Sequence, residues 1–533
     1  MIFIYAFLPL CILAYWLARS LKAKNYVLLA ASMVFYGLGE PLYIFLMLAA
    51  AGSAFSFSQL IDRYRGTRTS KVFLVISVAV NVSFLFFFKY MPLFVETASN
   101  ILRLNIRAPR ITLPIGISFY TFQILTYTID VYRNKTKLQK SPLSFLLYVS
   151  MFPQLIAGPI VRYDDVARQL DKRYVDAERL ASGIIRFICG LAKKVLLADY
   201  AGVIADKLLG AAVAGAAATG AATAGAGAAA GAAATGAAAV GGAAAAVGGA
   251  AAASQGVLGF VREGLGVTAG SLGANAGTFA GSISTMGAWC GLLFFAFQIY
   301  FDFSGYSDMA IGLGRMFGFE FMENFRYPYG SKSITEFWRR WHMSLGTFFR
   351  DYVYIPLGGN RRYQLRNIAI VWVLTGFWHG ASWNFVIWGC YFGIILIAEK
   401  YLSRIVRVKI PAFISWVYCF SAVIIGWSVF YYTDLGQVRD TLAAMFRYRP
   451  ELSFQTVGLV KDNLFFLAVC LFASMPWAKQ IYERILYWAE GKNGQLTAVA
   501  DSALSFAYMA VLLFACSAVR VGSSFSPFLY FRF

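Results

Sequence analysis

Long apolar runs separated by short basic clusters recur along almost the whole chain. Windows 1–18, 41–60, 72–95, 289–311, 383–397, 464–477 and 503–519 approach the ~20 residues needed to cross bilayer hydrocarbon. By that rule the pattern predicts roughly ten to twelve crossings or partial crossings, all of them helical. The first run has no basic residue ahead of it and carries Arg19, Lys22 and Lys24 behind it. That is the reverse of a secretory signal, so the run reads as a retained helix. Proline and glycine break several runs, at Pro114 and Gly116, at Pro153, at Gly158 and Pro159, and at Pro356, Gly358 and Gly359. Irregular backbone at membrane depth survives only where protein buries it or where it lines a wet cavity. These breaks together predict a cavity rather than a plain bundle.

The basic clusters give an orientation. Arg19, Lys22 and Lys24, and then Arg63, Arg65, Arg68 and Lys71, flank a hairpin whose Gly39-Glu40-Pro41 turn has no lysine or arginine. The N-terminus is therefore expected outside and both basic loops inside. Arg103, Arg107 and Arg110 fall outside if every run crosses once. Either an amphipathic interfacial segment lies there or the count slips by one.

Composition strengthens the membrane reading: 59% of the 533 residues are hydrophobic and 14% charged, with a mean hydropathy of +0.62. No water-soluble globular surface tolerates that balance. The net charge of +21 would point to nucleic acid in a soluble protein, but topology accounts for basic residues gathered in loops, and no nucleic-acid partner is expected. The seven cysteines are scattered through apolar stretches and read as small buried hydrophobes rather than a disulfide framework or metal site. Residues 210–253 stand apart, because 38 of these 44 positions are Ala or Gly. They form a low-complexity insertion without chemistry, read as a flexible or partly helical loop, with a buried small-residue helix pair as the alternative. It divides one membrane domain into a first part, residues 1–209, and a second part, residues 254–533.

Candidate chemistry concentrates in that second part. The chain has two histidines, His342 after Trp338, Arg339, Arg340 and Trp341, and His379 after Trp378. Histidine takes and returns a proton near neutrality, and an ionisable group inside apolar sequence is a functional candidate. His379 lies in residues 368–388, which hold no Lys, Arg, Asp or Glu. The plainer alternatives are a structural histidine bonded between helices for His379 and an interfacial position for His342. Residues 331–366 carry seven basic side chains among Trp, Phe and Tyr. That pairing suits a phosphorylated carrier such as coenzyme A, with guanidinium groups for phosphates and rings for adenine; an ordinary positive-inside loop on anionic lipid explains the charge equally well. Asp302 and Asp130 are carboxylates inside apolar sequence, and burial demands a partner for each. For Asp302 three roles stand open: orienting a histidine, pairing with an arginine, or only anchoring neighbouring helices. No HExxH, GxxxxGK[ST] or GxSxG pattern occurs, and no metal is expected.

These stretches resemble the bacterial branch of the membrane-bound O-acyltransferases that includes the alginate O-acetyltransferase membrane subunit and the D-alanyl transfer protein of teichoic acid synthesis. The resemblance rests on Leu113-Pro114-Ile115-Gly116, Phe152-Pro153-Gln154-Leu155-Ile156-Ala157-Gly158-Pro159, and Phe301-Asp302-Phe303-Ser304-Gly305-Tyr306-Ser307-Asp308. Glu336-Phe337-Trp338-Arg339-Arg340-Trp341-His342 running on to Gly358-Gly359-Asn360, Thr375-Gly376-Phe377-Trp378-His379-Gly380 and the closing residues 527–533 complete it. It implies an all-α ring of membrane helices around a central funnel or tunnel with re-entrant segments, with His379 catalytic in the tunnel and His342 the second functional histidine. Trp378, Trp338, Arg339, Arg340, Asp302 and Asn360 are the substrate-binding candidates it suggests. It further implies acetyl-coenzyme A as donor with no covalently bound cofactor, a bacterial inner-membrane location, and an extracytoplasmic acetyltransferase partner of SGNH-hydrolase type serving polysaccharide machinery. An alginate-like polymer is the first expected acceptor, with peptidoglycan, cellulose or D-alanyl transfer as alternatives. Outside the family, broken helices and sparse intramembrane charge also fit a transporter or flippase, and a docking scaffold is the plainest reading.

Overall fold

The computed structural model describes residues 2–104, 106–109, 111–155, 158–210, 283–405, 410–447, 454–490 and 494–521. The Ala/Gly tract beyond Gly210 and the closing residues 527–533 lie outside them. Among the described residues every regular element is a helix. The chain divides into two compact units, one of Met1–Lys194, Tyr300–Thr433 and Pro527–Phe533, the other of Val195–Ile299 and Asp434–Ser526.

Helices α1 (Leu8–Leu17), α2 (Leu21–Gly39), α3 (Tyr43–Arg63), α4 (Arg68–Leu85), α5 (Met91–Leu102) and α6 (Ile117–Tyr132) open the first unit. After them come α7 (Pro142–Ser150), α8 (Phe152–Leu155), α9 (Tyr163–Asp171) and α10 (Ala177–Ala192). Then follow α11 (Asp199–Leu208) in the second unit, the long α12 (Thr285–Met316), α13 (Ile334–Arg340) and α14 (Met343–Phe349). The first unit is completed by α15 (Gln364–His379), α16 (Trp383–Ile405) and α17 (Ala412–Tyr431). Among the described residues six helices are long and apolar enough to cross a membrane: Tyr43–Arg63, Arg68–Leu102, Thr285–Met316, Trp383–Leu402, Ala412–Tyr431 and Ala500–Val521. Thr456–Asp462 and Leu464–Ala473, bent by 54°, make a seventh if taken as one span. Phe3–Leu17 is a shorter apolar helix.

Polar caps start these helices where the sequence offers them. Ser20 accepts from the Ala23 amide at 3.2 Å, Thr67 from Ser70 at 3.4 Å and Ser333 from Glu336 at 3.0 Å. The run Arg68–Leu102 is continuous, with a π-helical turn at Phe86–Tyr90. Arg103 and Arg107 therefore lie at the opposite end from Arg68. Their loop is tied to the turn around Glu40: Tyr43 donates to the Thr112 carbonyl at 3.0 Å and the Ile115 amide to Glu40 Oε1 at 3.4 Å. The described residues 104 and 106–109 are not helical. Arg110 lies outside the described residues. Loops at the opposite ends of these helices are tied to one another: Arg65 bonds Asn134, Arg133 reaches the Asp351 carbonyl at 3.2 Å and Arg162 pairs with Asp351 at 2.7 Å.

Two glycine pairs bring α10 and α12 together backbone to backbone. A Cβ on Gly183 would lie 2.7 Å from the Gly312 carbonyl oxygen, and one on Gly190 would lie 2.5 Å from that of Gly305. Such contact is the small-residue packing that membrane helices use in place of a hydrophobic drive. It sets three cations of α10 and the π-helical turn after it against α12: Arg186 and Lys193 each bind Asp308 at 2.6 Å, and Lys194 pairs with Asp302. The second unit holds its own polar ties, Tyr200 to Asn463 at 2.8 Å and Arg520 to Asp199 at 3.4 Å.

Of the seven cysteines, Cys11, Cys419, Cys470 and Cys516 are buried as expected, whereas Cys390 is exposed and Cys189 and Cys290 are half-buried. An apolar run in a membrane protein can face lipid, so hydrophobic surroundings in sequence do not imply the interior.

Candidate active site

Helix α15 ends on His379, and Gly380 turns the backbone into an extended conformation before α16 begins three residues later. The imidazole is 5% exposed and walled by rings: Trp378 at 4.9 Å, Trp388 of α16 at 4.9 Å and Phe430 of α17 at 5.3 Å between centroids. Three helices thus converge on one histidine, each contributing the aromatic residue at that depth.

His342 reaches the same place by a different route. It sits between the two-turn helices α13 and α14 with φ +45° and ψ +54°, a left-handed conformation costing a non-glycine residue about 1–2 kcal/mol. Such strain clusters at functional positions. Its ring is 2% exposed, packs edge-on against Phe303 at 4.7 Å and lies 5.4 Å from Trp378. The Trp378 ring therefore contacts both imidazoles.

Asn324 fixes the chemistry of His342. Its Oδ1 accepts from the Ser344 backbone N–H at 3.2 Å and from the Ser344 hydroxyl at 2.9 Å. An amide N–H can only donate, so that end of the Asn324 side chain is the oxygen. His342 Nδ1, 3.1 Å from the same oxygen, must then carry a proton, so that whenever the ring is neutral it is Nε2 that holds the lone pair. Asn324 Nδ2 completes the set by donating to Ser307 at 3.1 Å.

The remaining candidates divide. Trp338 joins the aromatic wall through Trp388 at 5.4 Å and Trp372 at 4.9 Å. Asp302 is ion-paired to Lys194 with both side chains buried, and its neighbour Phe303 carries the contact to His342. Asp130 finds the Tyr352 hydroxyl. Arg339 is exposed, Arg340 pairs with Glu336 at 2.6 Å, and Asn360 accepts from Tyr354 at 2.7 Å in an exposed turn with Arg361 and Arg362. Histidines and arginines adjacent in sequence are thus separated, the former buried and the latter largely exposed.

Two contributors carry little sequence signal. Asn324 lies in a mixed loop and Lys194 in a basic pair. Lys89 is the sole charge within residues 72–95, and the rule that singles out His379 applies to it as well. The site also includes a second aromatic layer, with Phe119 and Phe122 of α6 at 5.7 and 5.8 Å from Trp378.

Two buried imidazoles that both pack on the Trp378 ring suit proton transfer away from bulk water. Comparison with known proteins gives the family. The model of the membrane-bound O-acyltransferase family matches residues 276–436, a segment that holds both histidines. A protein of Azotobacter vinelandii named "Probable alginate O-acetylase AlgI" is 34% identical over 566 residues, covering 100% of this chain and 99% of the relative. Its namesake in Pseudomonas aeruginosa is 32% identical over 588 residues, with 100% and 99% covered. The peptidoglycan O-acetyltransferase of Helicobacter pylori is 30% identical over 482 residues, covering 83% of this chain and 78% of the relative. Likeness along the full length, joined to a family segment that encloses the histidine site, makes this multi-pass membrane protein an O-acyltransferase belonging to the membrane-bound O-acyltransferase family.

Proposed function

We propose that the chain takes an acetyl group from acetyl-coenzyme A on the cytoplasmic side of a bacterial inner membrane and passes it to a hydroxyl acceptor outside, for O-acetylation of an alginate-like surface polysaccharide. The observation that carries this reading is the convergence of two buried histidines on Trp378, with the arginines of the same segment at the surface. Exposed Arg339, Arg361, Arg362 and Arg366 suit the phosphates of the carrier, and the enclosed imidazoles suit the chemistry. Two relatives named as alginate O-acetylases support the acceptor class.

In this reading His379 removes the proton of the acceptor hydroxyl while its oxygen attacks the thioester carbonyl. A C–O bond forms, the C–S bond breaks, and the imidazolium returns its proton to the departing thiolate. General base catalysis of this kind contributes roughly 10²–10⁴-fold, and holding thioester and hydroxyl in line contributes more. His342, with Nε2 unprotonated, is the second proton-handling group. Trp378 and Trp338 shape the enclosure, and the Asp302–Lys194 pair holds the helix that presents Phe303. An extracytoplasmic acetyltransferase of SGNH-hydrolase type completes transfer to the polymer.

The test is the O-acetyl content of surface polysaccharide in cells expressing the full chain with its partner enzymes, against cells with His379→Ala at equal membrane abundance. Loss of O-acetyl groups in the variant is expected, and unchanged acetylation overturns the reading. The Helicobacter pylori relative favours a second acceptor, peptidoglycan. Ester-bound acetate recovered from cell wall and absent from exopolysaccharide would assign that one.

A further inference from the structure

The end of α15 is held by a neighbouring span in a way the proposed reaction does not yet use. The last four carbonyls of an α-helix have no partner within it, and they carry the negative end of the helix dipole. In α15 these belong to Gly376, Phe377, Trp378 and His379. The Gly376 carbonyl accepts from the Gly380 amide at a long 3.4 Å. The Phe377 carbonyl accepts from the Tyr90 hydroxyl at 2.8 Å, and the Trp378 carbonyl from Lys89 Nζ at 2.5 Å.

Lys89 is 6% exposed within the span Arg68–Leu102. Its second hydrogen bond goes to the Ser118 hydroxyl at 3.4 Å, so neither of these two acceptors is charged. A buried ammonium is costly unless something of opposite sign faces it, and here the C-terminal end of α15 does. The Trp378 and Tyr90 rings add cation–π contacts at 5.9 and 6.0 Å. The π-helical turn Phe86–Tyr90 explains how adjacent residues serve adjacent carbonyls. Its wider turn makes consecutive side chains diverge less than on an α-helix, so Lys89 and Tyr90 both reach one helix end. Single π-turns inside α-helices occur frequently at functional sites.

We propose that Lys89, with Tyr90, is a positioning residue for His379: the pair caps the helix that ends on the histidine and fixes the depth and orientation of its ring. This rests on the reading of His379 as the general base. Displacing a reacting group by about 1 Å can cost roughly 10²-fold in rate, which is the scale expected when the cap is lost.

The test uses the full chain in lipid nanodiscs, with wild type, Lys89→Met, Lys89→Arg, Tyr90→Phe and His379→Ala. Amide hydrogen exchange over residues 376–380 is expected to rise in Lys89→Met and Tyr90→Phe, with the other helices unchanged, and to return toward wild type in Lys89→Arg. With radiolabelled acetyl-coenzyme A, Lys89→Met should lower kcat about 10²-fold with KM for the donor unchanged. Wild-type exchange at 376–380 in Lys89→Met, or faster exchange spread evenly over all helices, overturns the cap whatever the donor proves to be. Full turnover in Lys89→Met beside an inactive His379→Ala overturns this inference and leaves the general base in place. An active His379→Ala removes the general base, and the exchange data still decide the cap.

Discussion

The carboxamide oxygen of Asn324 stands 3.1 Å from Nδ1 of His342 and, by also accepting from the Ser344 amide, decides which imidazole nitrogen is protonated. Asn324→Ala leaves three buried donors without their acceptor, at about 1–3 kcal/mol for each unsatisfied group. It should lower the thermal midpoint and reduce acyl transfer. Asn324→Asp keeps an acceptor oxygen and should retain more of both. Unfolding in detergent and acetyl transfer in membranes check this, and equal behaviour of the two variants would contradict it.

The Lys194–Asp302 pair lies at 4% and 3% side-chain exposure. Removing one partner strands a buried charge, so Asp302→Ala should cost about 3–5 kcal/mol. Replacing both residues with apolar ones of similar size should recover most of that loss. Thermal unfolding of the single and double variants measures it.

Alanine should have opposite effects at two helical glycines. Gly190→Ala drives a Cβ to 2.5 Å from the Gly305 carbonyl oxygen, so it should destabilise the α10–α12 contact and with it the Asp308 ion pairs. At Gly52 of α3 an added Cβ would meet nothing within 4 Å. Gly52→Ala should therefore be stabilising by roughly 0.5–1 kcal/mol, the usual cost of glycine inside a helix. Thermal midpoints moving in the same direction would count against the packing described.

Burial pushes the Asp351 carboxyl up, but hydrogen bonds from Arg350 and Arg162 outweigh it and hold it below the ordinary carboxylate range. A carboxylate depressed in the folded state contributes stability that is complete above its unfolded value and is lost as pH falls through the folded one. The tie between Arg162 and Asp351 should therefore hold at neutral pH and fail only in acid, below the ordinary Asp range. Asp351→Asn should flatten the acid limb of the stability profile, which thermal unfolding across pH would record.

How much of this is legible in the sequence differs residue by residue. The membrane class follows from apolar runs whose length the bilayer dictates, and the breaks at Pro114, Pro153 and Pro356 fall at helix ends: just ahead of α6, in the first turn of α8, and just after the π-helical turn Arg350–Tyr354. Asp302 visibly needs a partner, because a buried carboxylate must be paired. That the partner is Lys194, 108 residues away, depends on glycine contacts between two helices that no local pattern reveals. His379 stands out as the titratable group of a charge-free run, yet Lys89 has the same signature and is easily passed over because its aromatic neighbours read as lipid-facing. Adjacency in sequence groups Arg339, Arg340 and Asn360 with His342. The backbone reversal at His342 buries the imidazole and leaves Arg339 outside, a separation that only φ and ψ record. Asn324 cannot be singled out from sequence, since its role depends on a fold that brings residue 324 to Ser344.

His379 as general base is tested most sharply by turnover of radiolabelled acetyl-coenzyme A by the purified chain in nanodiscs, with the proposed extracytoplasmic acetyltransferase supplied, comparing wild type, His342→Ala and His379→Ala. The account predicts acetyl transfer by wild type and a fall of roughly 10²–10⁴-fold in His379→Ala, with His342→Ala also impaired. Wild-type turnover in His379→Ala would contradict it.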